Sequence, residues 1–226
     1  MSAPTIAIVG GTGAEGGGIA IRLGRAGYKV IIGTRDAAKG ARVANELNEI
    51  LGTSAISHAG NVKAAESAEI IILTVPYQAQ QAAVTEIRNA LSGKILIDAT
   101  APLMPPKVAH VQLPAGGSAV AQVQQMLGNE VRVVSAFQNV AAHKLRQLDA
   151  DVQCDVLVCG DNAEARAATL TLIGKMGLRG FDAGPIANSA AAEALTSILI
   201  FLNRKYKVPG SGIRITGIDA AASPQS

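Results

Sequence analysis

Gly11, Gly13 and Gly16 form a Gly-x-Gly-x-x-Gly pattern in Gly11-Thr12-Gly13-Ala14-Glu15-Gly16, and a bend of this kind can present backbone N–H groups to a pyrophosphate. With 24 Gly among 226 residues the pattern alone decides little, so its place in the chain carries the argument. It directly follows the β-branched run 5–9 and opens a helix. There the first Gly permits the tight turn, the second lets backbone approach the phosphates, and the third lets helix and strand pack closely. The N-terminal end of the helix dipole then faces an anion. Thr34 lies 34 − 16 = 18 residues beyond the last motif Gly, where an Asp or Glu would accept hydrogen bonds from the adenine ribose of NAD. The chain has no carboxylate at that point and reads Gly33-Thr34-Arg35. Arg35 offers a planar, charge-assisted contact to a 2′-phosphate, Thr34 a hydroxyl, and Lys39 further charge one helical turn on. The expected ligand is NADP.

Other arrangements that could do chemistry are missing. No Tyr-x-x-x-Lys pair, His-Asp relay or metal-binding cluster stands out, and His58, His110 and His143 are scattered, with His143 at the start of a helix. Cys154 and Cys159 lie five apart in what reads as a strand, opposite in parity, and are expected to be ordinary thiols rather than a disulfide or metal pair. No catalytic residue is therefore assigned. Reduction of a carbonyl needs a proton donor beside the hydride acceptor. A second redox cofactor needs only stacking and alignment, because it brings its own reactivity. The sparse site suits the second case.

The elements that would position these residues alternate in kind. Short apolar runs at 5–9, 29–32, 69–75, 94–97, 132–137 and 152–158 read as strands. Residues 17–26, 36–51, 78–91, 163–176 (capped by Asp161 or Asn162) and 190–204 read as helices. Alternation of this kind builds an α/β fold of the Rossmann type, a doubly wound, mostly parallel sheet covered on both faces. Residues 101–106 and the Gly116–Gly117 pair read as a loop beside the ligand crevice. Residues 208–212 read as a turn, and 213–217 as a short strand or extended tail. We divide the chain into a nucleotide-binding domain, 1–184, and a small C-terminal helical element, 185–226. The apolar spacing of Leu195, Ile198, Leu199 and Leu202 implies core packing or a dimer seam.

Composition narrows the partners. Apolar residues make up 49% and charged residues 16%, which suits a large core, while the 3% aromatics leave few stacking surfaces for nucleic acid. The net charge of +3 is not gathered into a basic stripe, so an anionic small molecule fits better than a polyanion. The longest apolar runs, 70–76 and 197–202, fall short of the roughly 18 residues a bilayer requires. Residues 1–9 lack the basic start of a signal peptide. A cytoplasmic protein with no membrane partner is expected.

The chain resembles the NADPH-dependent reductases of the 5-deazaflavin coenzyme F420. The residues carrying the likeness are Gly10-Gly11-Thr12-Gly13 with Gly16, Gly33-Thr34-Arg35, Thr74-Val75-Pro76, Val134-Ser135-Ala136-Phe137, Cys159-Gly160-Asp161, Asp182-Ala183-Gly184-Pro185 with Asn188, and Glu193 with Leu195-Thr196. The resemblance implies a homodimer completed by the C-terminal helical part and direct hydride transfer between nicotinamide and deazaflavin. It implies pyrophosphate contacts at Thr12, Ala14 and Glu15, 2′-phosphate contacts at Thr34, Arg35 and Lys39, and nucleotide contacts at Val75 and Pro76. The deazaflavin would lie against 138–142, at Gln138, Val140 and Ala142. Gln138 stands where relatives often have His, Ala141 where Pro is common, and Ala101 where Asn is frequent. A flavin, imine or carbonyl acceptor, or a non-enzymatic NADP sensor, are the alternatives.

Overall fold

A computed structural model describes residues 3–218. The first two residues of the 1–9 stretch, and residues 219–226 of the expected C-terminal element, lie outside the described residues. Six strands, β1 (Ile6–Val9), β2 (Val30–Gly33), β3 (Ile56–Ala59), β4 (Ile70–Leu73), β5 (Ile95–Asp98) and β6 (Arg132–Ser135), form one sheet in the order β3-β2-β1-β4-β5-β6. All neighbours are parallel, and Ile8 of β1 lies level with Ile32 of β2 and Ile72 of β4. β7 (Asp155–Val158) and β8 (Arg179–Asp182) make a second parallel pair, and an antiparallel bridge between Ser135 and Cys159 joins it to the end of β6.

The helices are α1 (Ala14–Arg25), α2 (Ala37–Leu51), α3 (Asn61–Glu66), α4 (Tyr77–Ile87), α5 (Ala119–Leu127), α6 (Ala142–Leu145), α7 (Ala163–Lys175) and α8 (Ser189–Tyr206). The central strands read Ile-Ala-Ile-Val, Ile-Ile-Ile-Leu and Ile-Leu-Ile-Asp and are buried throughout, because helices cover both faces. Ile6, Ile8, Ile32 and Ile72 join Ile19 and Leu23 of α1, Leu47 of α2 and Ile173 of α7 in one cluster. Ala7, Val9, Ile71 and Leu73 face the other way, onto Val84 and Ile87 of α4 and Val120 and Val123 of α5.

The expected alternation holds, with additions. β3, β8, α3 and α5 were not anticipated. β3 (Ile-Ser-His-Ala) sits at the sheet edge with its two middle residues exposed, so it carries no apolar run. Asn162, rather than Asp161, caps α7, accepting from the Ala165 N–H at 2.8 Å; Asp161 instead accepts from the Ile186 N–H at 2.9 Å. Residues 213–217 form no strand; the tail lies along β7, held by Asp155, whose main-chain N–H donates to the Ile213 carbonyl at 2.8 Å and whose Oδ2 accepts from the Ile215 N–H at 2.6 Å. Both cysteines are buried free thiols, and burial pushes the Cys159 thiol up to about 11.

α8 differs from expectation in the face it buries. Its buried positions are Ser189, Ala192, Glu193, Ser197 and Leu199, while Ile198 of the expected apolar face is exposed, as is Phe201. The segment Ile186–Tyr206 is long and apolar enough to cross a bilayer, with a mean hydropathy of 1.3, unlike the shorter runs counted from sequence. Its docking residue is nonetheless a carboxylate. Glu193 Oε1 accepts from the Ser118 hydroxyl at 2.6 Å and the Val120 N–H at 3.1 Å, and Oε2 accepts from the Ala119 N–H at 2.8 Å, which caps α5 from another helix. Burial raises the Glu193 pKa, and these three donors hold it back. Glu193→Gln would turn an N–H₂ toward these donors. The expected loss is about 2 kcal/mol, or roughly 5 °C in Tm by calorimetry.

Candidate functional site

Strand order reverses between β1 and β4, so the loops leaving their C-terminal ends diverge and open a crevice. The β1 loop is 10–13. Gly10 has φ +79°, and a Cβ there would lie 2.8 Å from Val75 Cγ1 and 3.0 Å from the Thr74 carbonyl, so this position turns the chain and admits no side chain. A Cβ on Gly16 would lie 2.6 Å from both Gly11 Cα and Thr74 Oγ1, the close helix–strand approach expected of the last motif Gly. Gly13 occupies the N-cap of α1 and supplies no side-chain cap, so the first N–H groups of the helix remain open to an anion. Gly13 and Ala14 are exposed, and Thr12 and Glu15 are partly so.

A cavity of about 370 Å³ continues from this loop to the end of β2, lined by Gly10 and Thr12, by Thr34, Arg35 and Lys39, and by Val75 of the β4 loop. Arg35 and Lys39 are exposed and form no ion pair among the described residues. The neighbouring carboxylate, Asp36, caps α2 by accepting from the Lys39 N–H at 2.9 Å. Its N–H donates to Thr34 Oγ1 at 3.2 Å, which fixes the Thr34 hydroxyl at the cavity wall. Two unpaired cations beside a hydroxyl, with the neighbouring Asp36 engaged in capping, suit a phosphate monoester better than a bare ribose diol.

Of the other anticipated residues, Pro76 is exposed as the N-cap of α4, on the same β4 loop as Val75. Gln138 and Val140 are only 4% and 7% exposed, and Ala142, at the start of α6, is more open. Gln138 is set by its surroundings. Its Nε2 donates to the Asp98 carbonyl at 2.7 Å and its own carbonyl accepts from the Thr196 hydroxyl at 2.8 Å, while its Oε1 has no partner among the described residues. The preceding Phe137 is a fully buried residue at φ +77°, a strained conformation that redirects the chain as it leaves β6.

Sequence reasoning missed Asn61 and Glu86, which line the cavity from α3 and α4, with Asn61 Nδ2 donating to Glu86 Oε2 at 3.1 Å. It also missed Asp98 at the end of β5. Asp98 is fully buried, and its carboxylate accepts from the Thr100 N–H at 2.9 Å and from Gln80 Nε2 at 2.6 Å. Burial raises its pKa and these donors oppose the rise. Glu15 faces the same region. Burial, with repulsion from Asp98 second, pushes its carboxyl up to about 8.

The parallel sheet, its reversal and the open α1 terminus define a dinucleotide-binding protein of the Rossmann class. Residues 5–102 match the family described as NADP oxidoreductase, coenzyme F420-dependent. The F420-dependent NADP reductase of Methanothermobacter marburgensis is 39% identical over 220 residues, covering 94% of this chain and 98% of that protein. That of Methanocaldococcus jannaschii is 39% identical over 222 residues, covering 95% and 99%. A solved structure from Arthrobacter sp. FB24, described as an F420-dependent NADP-reductase, superposes with a TM-score of 0.78 at 28% identity over 95% of this chain and all of that one. This chain belongs to the F420-dependent NADP reductase family.

Proposed function

We propose that this protein is an oxidoreductase that passes hydride directly between NADP(H) and coenzyme F420. The hydride would move between the nicotinamide and the deazaflavin, the deazaflavin exchanging one proton with solvent as it is reduced or oxidised. The observation carrying the NADP half is the pair of uncommitted cations, Arg35 and Lys39, on the cavity wall with Thr34. In this reading they hold the 2′-phosphate. The N–H groups at Thr12, Ala14 and Glu15 hold the pyrophosphate, with Gly11, Gly13 and Gly16 shaping the bend, and Val75 and Pro76 flank the nucleotide. Gln138, Val140 and Ala142 would lie on the acceptor side, where the Asp98 carbonyl holds the Gln138 side chain. The acceptor assignment rests on the full-length likeness to the archaeal reductases.

The reading extends to a cytoplasmic homodimer. Residues 1–184 would form the nucleotide domain and 185–226 the dimerisation element, an assignment supported by Ile198 and Phe201, 47% and 52% exposed on one stretch of α8. Apolar side chains left open on an otherwise docked helix suit a second copy of the chain.

Purified protein mixed with NADPH and F420 is expected to bleach the deazaflavin absorbance with one NADPH consumed per F420. Turnover of an imine or carbonyl without any deazaflavin would overturn the acceptor assignment. Tight NADPH binding with no acceptor reduced would overturn the enzymatic one.

A further inference from the structure

The cavity beside the Gly-rich loop is larger than a phosphate needs, and its walls differ in kind. Of its volume of about 370 Å³, the end bounded by Arg35 and Lys39 is cationic, while α4 contributes Ala79, Ala82, Ala83 and Glu86. These four positions follow i, i+3, i+4 and i+7 spacing, so they share one face of that helix. The face is a floor of methyl groups that ends in a carboxylate. Such a floor admits a flat ring and supplies one acceptor at its edge.

Glu86 is tied to a neighbouring helix. Asn61, the first residue of α3, also lines the cavity; it is only 7% exposed, and its Nδ2 donates to Glu86 Oε2 at 3.1 Å. Room for this amide comes from Gly33 at the end of β2, where a Cβ would lie 3.2 Å from Asn61 Oδ1. The other oxygen, Glu86 Oε1, receives no donor, and Glu86 forms no ion pair among the described residues. The second acid at the cavity, Asp36, is engaged in capping α2. An acid with a spare oxygen weakens binding of a phosphate nearby, unless a donor on the same ligand meets it. On a nucleotide base that donor is an exocyclic amine. Adenine carries one at C6, where hypoxanthine carries a carbonyl.

We propose that the α4 wall selects the base: the adenine of NADP(H) lies on the floor made by Ala79, Ala82 and Ala83 and donates its C6 amine to the Glu86 carboxylate. The inference rests on the NADP reading above and extends it from the phosphate to the base. Arg35 and Lys39 then distinguish NADP from NAD, and Glu86 distinguishes adenine from a base with a carbonyl at the same place. Such a carbonyl forfeits a charge-assisted hydrogen bond and sets two acceptors against each other.

Calorimetric titration with NADP⁺ and with its hypoxanthine analogue reads this selectivity without any hydride acceptor. Wild type is expected to bind NADP⁺ at least about tenfold more tightly than the analogue. Glu86 is exposed, so its substitution leaves the core intact. Glu86→Gln can turn its N–H₂ toward the hypoxanthine carbonyl or its oxygen toward the adenine amine, and is expected to bind the two nucleotides within about threefold of each other. Glu86→Ala should lose the discrimination as well. Arg35→Ala should weaken both nucleotides by the same factor and keep their ratio, because the 2′-phosphate is common to both. Equal wild-type affinities would overturn the proposal, as would a preference for adenine that survives in both Glu86 variants. Failure of NADP⁺ to bind wild type would instead remove the NADP reading, and this inference with it.

Discussion

Arg35→Ala is expected to lower the ratio of kcat/KM for NADPH over NADH by about tenfold or more, because one charge-assisted contact contributes on the order of 1.5–3 kcal/mol. The loss should fall on NADPH and leave NADH nearly unchanged, since a guanidinium near a bare ribose diol has no phosphate to bind. Lys39, also lining the cavity and unpaired among the described residues, would retain part of the preference, so the double change Arg35→Ala, Lys39→Ala should reduce it further. Asp36 would not substitute for the missing contacts, because its carboxylate caps α2. Steady-state kinetics with each coenzyme, or direct titration of NADPH and NADH, gives the ratio, and an unchanged ratio would remove the 2′-phosphate assignment.

The largest effect on stability is expected at Arg22, on the helix that begins at the Gly-rich loop. Its guanidinium is buried, with 5% exposure, and no carboxylate pairs with it among the described residues. It is held instead by four carbonyls. Nε donates to Leu145 at 2.7 Å, Nη1 to Met176 at 2.9 Å, and Nη2 to Gln147 at 2.9 Å and Lys144 at 3.3 Å. These carbonyls lie at the ends of α6 and α7, so the cation satisfies two helix C-termini at once and fixes α1 against both. Burial lowers the Arg22 pKa, with repulsion from Arg25 second, yet the guanidinium remains charged at any ordinary pH. Arg22→Met fills much of the volume but strands the four acceptors, at an expected cost of about 4 kcal/mol and roughly 10 °C in Tm. Arg22→Lys has fewer donors and a single charged centre, and should fall between the two. Thermal unfolding of the three proteins orders them, and a methionine variant melting with wild type would show the cluster to be dispensable.

The nucleotide half of this molecule was legible from sequence for a physical reason. Strands buried on both faces must be apolar and β-branched along their whole length, so β1, β2, β4 and β5 announce themselves, and the motif glycines lie where backbone meets backbone. Arg35 was legible because a carboxylate is absent where NAD would need one. β3 was hidden because an edge strand buries little, and its Ser57 and His58 face outward. Asn61 and Glu86 were hidden because no local pattern marks a side chain that the fold brings to the crevice from another element. The face of α8 was misread for a related reason. Apolar spacing implies a core-facing stripe through Ile198, but the helix docks through small residues and one carboxylate whose partners are 73 to 75 positions away in the chain.

That same carboxylate dictates the order in which a nascent chain can mature. β1 to β5 and their helices leave the ribosome first and can condense on local contacts, but the start of α5 must wait for residue 193 before its N–H groups and the Ser118 hydroxyl find their acceptor. Translation of most of the protein therefore precedes the docking of α8 on α5, and a ribosome stalled short of α8 would carry an α5 whose first N–H groups lack their carboxylate.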